Sequence, residues 1–457
     1  MKERDYKLEN EKMTKLLMNL SLPATIAMMV NALYNVVDTI FIGRGIGYLA
    51  IGGLAIAFPV QMVIMAIAQM IGIGAASAIS RSLGAKDIER AEHVAGNSFF
   101  SVGVLGILIC ITGLVFLQPL LRIFGATDIL LPYAKEYLQV ILIGCIYFPF
   151  AVSTNNLIRA EGNAKAAMFS MLIGTILNII LDYIFIFPLN MGIRGAALAT
   201  ILSQLASVIY ILFYIYGGQS TLKVRLHHLK PEWKILYEII TVGFPSFARQ
   251  VSGSILAIIL NNSLAFYGGE LGISVYGVIN RVIMFLFMPL FGIVQGMQPI
   301  AGYNYGAKKF DRVKEVIKLS IIATTIFASV STLFGELFPR FIIGMFNNDP
   351  ELIKNGVYAL RMIISMVPII GVQIIGAALF QSLGKAMPSL FLTLSRQVLF
   401  LIPFVLILPR IYGLGLIGIW LAFPLADFFS TIITVMLLKN EMKIMEKQVS
   451  SNGNYIH

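Results

Sequence analysis

The chain has 457 residues, 58% of them hydrophobic and only 12% charged, with a mean hydropathy of +0.84. Soluble domains carry about 25% charged residues, so lipid is the expected solvent, and no stretch is left to build a separate water-soluble core. The net charge of +11 then reflects Lys and Arg gathered in loops on one face of a membrane, not nucleic-acid binding.

The opening segment, 1–20, mixes both charge signs and lacks a small-residue cleavage site, so it reads as a lead-in to the first helix and not as a signal peptide. Apolar runs of roughly 20 residues, enough to cross a ~30 Å hydrocarbon core, then recur along the chain. They predict spans at 20–43, 53–79, 94–118, 131–158, 167–188 and 192–216, then at 237–266, 272–302, 315–338, 352–381, 389–409 and 414–438. The expected organisation is an N-terminal six-helix lobe (1–216, lead-in included), a linker (217–236), a C-terminal six-helix lobe (237–438) and a tail (439–457). Gly217-Gly218, a basic stretch and Pro231 mark the linker. With the N-terminus in the cytoplasm, most Lys and Arg fall on that side, including Arg81, Lys86, Arg90 and those of 223–234 and 308–318. The opposite side holds Arg44, Arg122, Lys135, Arg194, Arg340, Lys354 and Arg410. Under the positive-inside rule both termini are therefore expected in the cytoplasm of a cell, as in a prokaryotic inner membrane.

An internal repeat runs through these spans. A shift of 222 residues lays Pro23 on Pro245, Gly84-Ala85-Lys86 on Gly306-Ala307-Lys308, Leu157 on Leu379 and Gly162 on Gly384. Near Gly195 and Gly418 the offset becomes 223. Duplication explains one offset held over so long a stretch. Six spans per half is an even number, so both halves enter from the same side, as parallel repeats that rock about a central cavity do.

No phosphate loop follows the Gly-x-x-x-x-Gly-Lys-Ser/Thr pattern, and none of His93, His227, His228 and His457 lies deep in a span. Catalysis and ATP-driven pumping are thus unsupported, no cofactor is expected, and an ion gradient is the remaining energy source. Cys110 and Cys145 lie in apolar segments without metal-ligand spacing.

Acidic residues inside spans are costly and point to function. Asp38 and Asp182 each lie about six residues before the far end of their spans, hence ~9 Å deep at 1.5 Å per residue. Asn31, Asn35 and Asp38 form one stripe of the first helix with Tyr34 beside them, and Asn178 and Asp182 are i and i+4 on the fifth. Two desolvated carboxylates near one another can gain and lose a proton near neutral pH. The repeat supplies a control: the mates of Asp38, Asp182, Asn178 and Asn35 are Leu260, Phe404, Phe400 and Ala257. These polar groups are not needed merely to hold a half together. In the second half Arg281, Arg396, Gln295, Gln298, Gln373 and Gln381 lie within spans as cavity or packing residues. Asp427 faces Gln204 across the repeat, which favours packing.

Together these segments resemble the multidrug and toxic compound extrusion (MATE) family. The resemblance rests on Leu22-Pro23, Val37-Asp38-Thr39, Ser80-Arg81-Ser82-Leu83-Gly84-Ala85, Arg159-Ala160-Glu161-Gly162, Asn178-Ile179-Ile180-Leu181-Asp182, Gln295-Gly296-Met297-Gln298-Pro299 and Gly302-Tyr303-Asn304-Tyr305-Gly306-Ala307. It implies an all-α membrane protein of two six-helix lobes forming a V, acting as a monomer that exports amphipathic, often cationic compounds in exchange for H+ or Na+. By position Asp38, Asn178, Asp182 and Thr200 match the family's coupling cluster in the N-terminal lobe, with Tyr137 and Asn155 as further members and Asn35 beside them. Any Na+ is expected at Asp38 and Asp182. Asn31, Tyr34, Gln295, Gln298 and Arg281 are the expected substrate-cavity residues, and Pro23 the bend of the first helix. A lipid-linked saccharide flippase is the rival reading; twelve spans and paired aspartates weigh against it.

Overall fold

In hydrocarbon every backbone N–H and C=O must find its partner within the chain, and a helix does this within one segment. The computed structural model accordingly consists of helices, and it describes residues 2–346 and 349–453, without the side chains of 2, 3, 5, 35, 48 and 449–453. In chain order the first half holds α1 (Lys2–Asn10), α2 (Met13–Gly45), α3 (Tyr48–Gly84), α4 (Ile88–Val115), α5 (Leu117–Ile123), α6 (Leu131–Gly144), α7 (Phe148–Ala160), α8 (Ala164–Ile186) and α9 (Gly192–Tyr216). The second holds α10 (Trp233–Gly306), α11 (Phe310–Leu337), α12 (Pro339–Gly344), α13 (Pro350–Ile364), α14 (Val367–Ser382), α15 (Ala386–Leu394), α16 (Ile402–Ile407) and α17 (Leu416–Gly453). The side of the bundle carrying α1 is the near side below.

These helices make twelve crossings, for two reasons. Two crossings are each broken in the middle: α6 and α7 meet at 51°, α13 and α14 at 49°. The 74 residues of α10 are far too long for one crossing, and Gly269 interrupts it with φ 58 and ψ −154. Both of its ends lie against the near-side part of α3, Ile239 beside Gly74 and Tyr303 beside Gly84, so the helix turns back at Gly269. A positive φ with such a ψ is glycine territory.

The repeat is visible in backbone conformation as well as in sequence. Lys86 and Lys308 both take a left-handed φ, 61 and 57, and Gly162 and Gly384 take φ 79 and 75. The two broken crossings occupy equivalent places in their halves. Three loops hand over to helices through side-chain caps: Asp87 accepts from Arg90 N (3.0 Å), Asn163 from Ala166 N (3.1 Å) and Asp349 from Leu352 N (2.8 Å).

Three sequence expectations change. The first span does not begin at 20: α2 starts at Met13 and carries Pro23 inside it. The segment from 439 does not leave the bundle as a tail. It continues α17, with Met445 fully buried and Glu441 bonded to Lys385 Nζ (2.6 and 2.7 Å); 454–457 lie outside the described residues. The lead-in is also built into the fold. From α1, Arg4 reaches Tyr214 Oη (2.9 Å) in the first half, while Glu9 pairs with Lys309 (2.8 Å) and Leu8 O accepts from Asn304 Nδ2 (3.2 Å) in the second.

The halves meet most closely where glycines let backbones touch. A Cβ on Gly74 would lie 1.9 Å from Ile239 O, and one on Gly243 1.8 Å from Met70 O. One on Gly84 would lie 1.9 Å from Tyr303 O, and one on Gly306 2.0 Å from Arg81 O. Gly296 packs on Ser21 and Gly292 on Thr25. These contacts all fall in the near-side portions of their helices, and they pair off under the repeat. Arg81 and Arg90 add ion pairs to Glu238 (2.8 and 2.7 Å) across the same seam.

Arg396 and Asp427 form a second buried charge system, with Nε 2.6 Å from Oδ1 and Asp427 1% exposed. Arg396 sits in a short π-helical turn, Ser395–Leu401, that widens the helix at this point. Removing one member of a buried pair strands the other, at a cost of about 3–5 kcal/mol. Arg396→Ala should therefore lower the melting temperature of the detergent-solubilised protein markedly, and Arg396→Met with Asp427→Leu should recover most of the loss. Equal melting curves for wild type and Arg396→Ala would refute a stabilising pair.

Candidate functional site

The expected charge site assembles on the first half, in the part of the bundle away from the near side. Packing at the far ends of α2 and α8 sets it. Gly45 leaves room for the Ile186 and Phe187 side chains, and Phe41 packs its ring against Tyr183 and Phe187 (centroids 6.3 and 5.8 Å). One helical turn further in, this contact turns Asp38 and Asp182 toward each other. Their carboxyl groups come within hydrogen-bonding reach of one another, at 8% and 0% exposure.

The neighbours come from five other turns of helix. With its amide turned to suit both neighbours, Asn178, one turn before Asp182, donates to Asp182 Oδ2 (2.9 Å) and accepts from the Thr200 N–H of α9 (3.1 Å). Thr200 Oγ1 donates to Ala196 O (3.0 Å), which turns its lone pairs toward the hydroxyls of Tyr34 and Tyr137. Gln61 of α3 donates to Tyr137 Oη (3.3 Å). Asp38 Oδ1 and Asp182 Oδ1 are buried without a hydrogen-bond partner. Among the described residues no Lys or Arg forms an ion pair with either carboxyl group. Such a pair holds unspent acceptor capacity and no compensating charge, the condition for taking up a proton or a small cation.

Not every expected member is here. Asn155 lies elsewhere: its amide donates to Ala167 O (2.8 Å) and Ser170 Oγ (2.7 Å), and its oxygen accepts from Arg159. Ser170 is twelve residues before Asp182 on α8, about 18 Å along the axis. Asn155 thus fixes the near-side end of α7 to α8. The side chain of Asn35 lies outside the described residues. Tyr34, expected in the substrate cavity, lies beside Thr200 and the carboxyl pair, and half-buried Asn31 lies about one turn nearer on the same helix. Gln61 escaped the sequence reading. Its signal was an amide in an apolar span, but nothing local tied it to Tyr137, 76 positions on.

Between the halves lies a narrow cleft with about 30 Å³ of free volume, lined by Ser77, Ser80, Asn156, Arg159, Gln295 and Gln298 among others. Gln295 and Gln298 both line this cleft, and Gln295 Nε2 also approaches Met28 Sδ (3.3 Å) across the seam. Arg281 does not line this cleft and is exposed on the second half. Gln373 and Gln381 are tied up in packing, to Leu392 O (3.0 Å) and to Val242 O (2.9 Å).

At the equivalent place in the second half the chemistry is inverted. Phe400 and Phe404, the repeat mates of Asn178 and Asp182, stack with Phe429 at 5.6 to 6.0 Å. Leu260, the mate of Asp38, is fully buried with them in an apolar core. By the same offset Gln61 and Tyr137 become Ile283 and Ala359. The scaffold is duplicated and the polar site is not.

A family model described as MatE matches residues 23–184 and again 245–407, one copy on each half. The chain belongs to the MATE family. Multidrug export protein MepA of Staphylococcus aureus (strain MSSA476) is 26% identical over 443 residues, covering 97% of this chain and 98% of its own. The MepA of Staphylococcus haemolyticus (strain JCSC1435) is likewise 26% identical, covering 97% of each. Among solved structures, an outward-facing multidrug-resistance MATE transporter of the MOP superfamily aligns with a TM-score of 0.91 at 30% identity, over 96% of this chain and 98% of that one. A MATE structure in a bent conformation gives 0.92 at 30% identity, over 98% and 99%. The likeness covers both halves of this MATE chain, so its two six-helix lobes are those of the family fold.

Proposed function

We propose that this MATE transporter is a multidrug exporter that expels amphipathic, often cationic organic compounds in exchange for H+ or Na+ bound at Asp38 and Asp182. The observation that carries the reading is the pair of buried carboxyl groups with no cationic partner among the described residues. Buried negative charge in a bilayer needs neutralising, and a proton or Na+ arriving from outside can do it. The names of the staphylococcal relatives support drug export, and the loop charges support a cytoplasmic near side, with both chain ends there.

In this reading substrate enters the space between the lobes while the near side is open. Ion uptake at the carboxyl pair rearranges α2 against α8, and the lobes, now closed on the near side, release the substrate outward. Both lobes belong to one chain, so a monomer suffices. One charge moving down 100 mV supplies about 2.3 kcal/mol, enough for a roughly fiftyfold gradient. The test is efflux of a fluorescent cationic dye from proteoliposomes under separately imposed Na+ and proton gradients. One gradient alone should drive uphill export. Export driven by neither, or only by ATP, would overturn the proposal.

A further inference from the structure

On the first arm of α10 (233–268) the exposed apolar residues Tyr237, Phe244, Val251 and Ile255 share one face, the one turned to lipid. Arg249 lies on the opposite side of the helix, which meets protein. There Ser246 accepts from Gln381 (3.0 Å), Gln250 Nε2 approaches Met62 Sδ of the first half (3.2 Å), and a Cβ on Gly253 would lie 3.8 Å from Gln397. Arg249 is nonetheless exposed. An exposed side chain on the protein-facing side of a helix looks into open space within the bundle. Gly243, whose backbone touches Met70, lies six residues nearer, about 9 Å, so Arg249 stands where the halves begin to part.

The guanidinium rests over the Phe291 ring, 5.6 Å from its centroid, and among the described residues it makes no ion pair and no hydrogen bond. A cation held on a ring face keeps its N–H edge free, and that fork fits a carboxylate, sulfonate or phosphate. Arg281, Met284, Met288, Phe291, Gln295 and Gln298 form one stripe of the second arm (270–306), at spacings of three and four. Its near end lines the cleft beside Arg159, whose bonds go to the amide oxygens of Asn155 and Asn156, and no Asp or Glu lines that cleft. Its far end carries exposed Arg281, about 15 Å beyond Phe291. The space between the halves is therefore walled here by cationic, amide and apolar groups. The repeat mate of Arg249 is Ala27, which is buried, so the shared scaffold needs no charge at this place. We propose that Arg249 and Phe291 bind the negatively charged group of a substrate, a carboxylate, sulfonate or phosphate on an aromatic or otherwise apolar body. The assignment rests on the exporter reading above and extends its substrates to amphipathic anions and zwitterions.

The experiment measures binding of fluorescein, an aromatic carboxylate, and of ethidium, an aromatic cation, by fluorescence polarisation to the full-length protein in uncharged detergent. Arg249→Gln should weaken fluorescein binding at least about tenfold, the loss of a charge-assisted contact. Ethidium binding and the melting temperature should stay as in the wild type. Arg249→Lys should recover part of the loss, because the charge returns without the fork. Asp182→Asn should bind fluorescein as the wild type does, and no gradient enters the measurement. A failed anion site would thus leave gradient-driven ethidium export standing, and failed ion coupling would leave fluorescein binding standing. No fluorescein binding by the wild type, unchanged binding by Arg249→Gln, or equal loss of both dyes would overturn the proposal. Displacement of fluorescein by phosphatidylglycerol and not by phosphatidylcholine would assign Arg249 to a lipid head group and overturn it as a substrate site.

Discussion

Asp182→Asn is expected to abolish gradient-driven export while leaving the protein folded and able to bind substrate. The amide fills the same space and can still accept from Asn178 Nδ2, 2.9 Å away in the wild type, so the packing of α8 on α2 and α9 survives. What disappears is the charge that an ion must neutralise. The uphill component, up to about fiftyfold per charge at 100 mV, should be lost. Asp38→Asn should behave alike, and the double variant should be little worse than either single one, because the two groups act as a unit. The check is dye accumulation in proteoliposomes under each gradient, with substrate binding measured in parallel. Undiminished gradient-driven transport by Asp182→Asn would sink the coupling role while leaving family membership untouched.

The second large effect is expected at the seam. Gly243 and Gly74 have no room for even a methyl group, since the atoms facing them are backbone carbonyls. Gly74→Leu or Gly243→Leu should therefore keep the lobes from closing on the near side. Overpacking of this kind costs about 1–3 kcal/mol, a population shift of about 5- to 150-fold. Spin labels at the exposed positions Glu89 and Lys308 should report a longer distance in the substituted protein, and export should fall with it. Gly103, whose Cβ would meet nothing within 4 Å, is the control. A distance distribution identical to that of the wild type would show that the seam tolerates side chains and is not the closing surface.

Parts of this molecule could be read from the chain and parts could not, and the division follows sequence distance. Span positions follow from apolar runs, and Asp38 and Asp182 stand out because charge in such runs is expensive. Their partners Asn178 and Tyr34 follow from the helical period. Gln61 and the link from Tyr137 to Thr200 join α3, α6 and α9, so only the folded bundle brings them together. Asn155 misled for a related reason. Its family position placed it in the cluster, while its neighbour one turn on, Arg159, holds it at the other end of the lobe. The end of α17 was misjudged because hydropathy falls after 438 although helix periodicity continues, and Met445 and Glu441 still face the bundle.

The glycine seam between the lobes also governs how the bundle moves. Contact of main chain with main chain freezes almost no rotamers when it forms and frees almost none when it breaks, so little conformational entropy softens the transition. Its attraction is mostly dispersion, and a radial gap of about 0.5–1 Å already forfeits a quarter to a half of that well. A lobe tilted slightly away has therefore lost much of the contact energy while gaining no space wide enough for a substrate. Intermediate tilts are poor places to rest. Opening at Gly74, Gly84, Gly243 and Gly306 should proceed as a snap between two resting geometries, and the membrane is spared a continuous leak path during each cycle.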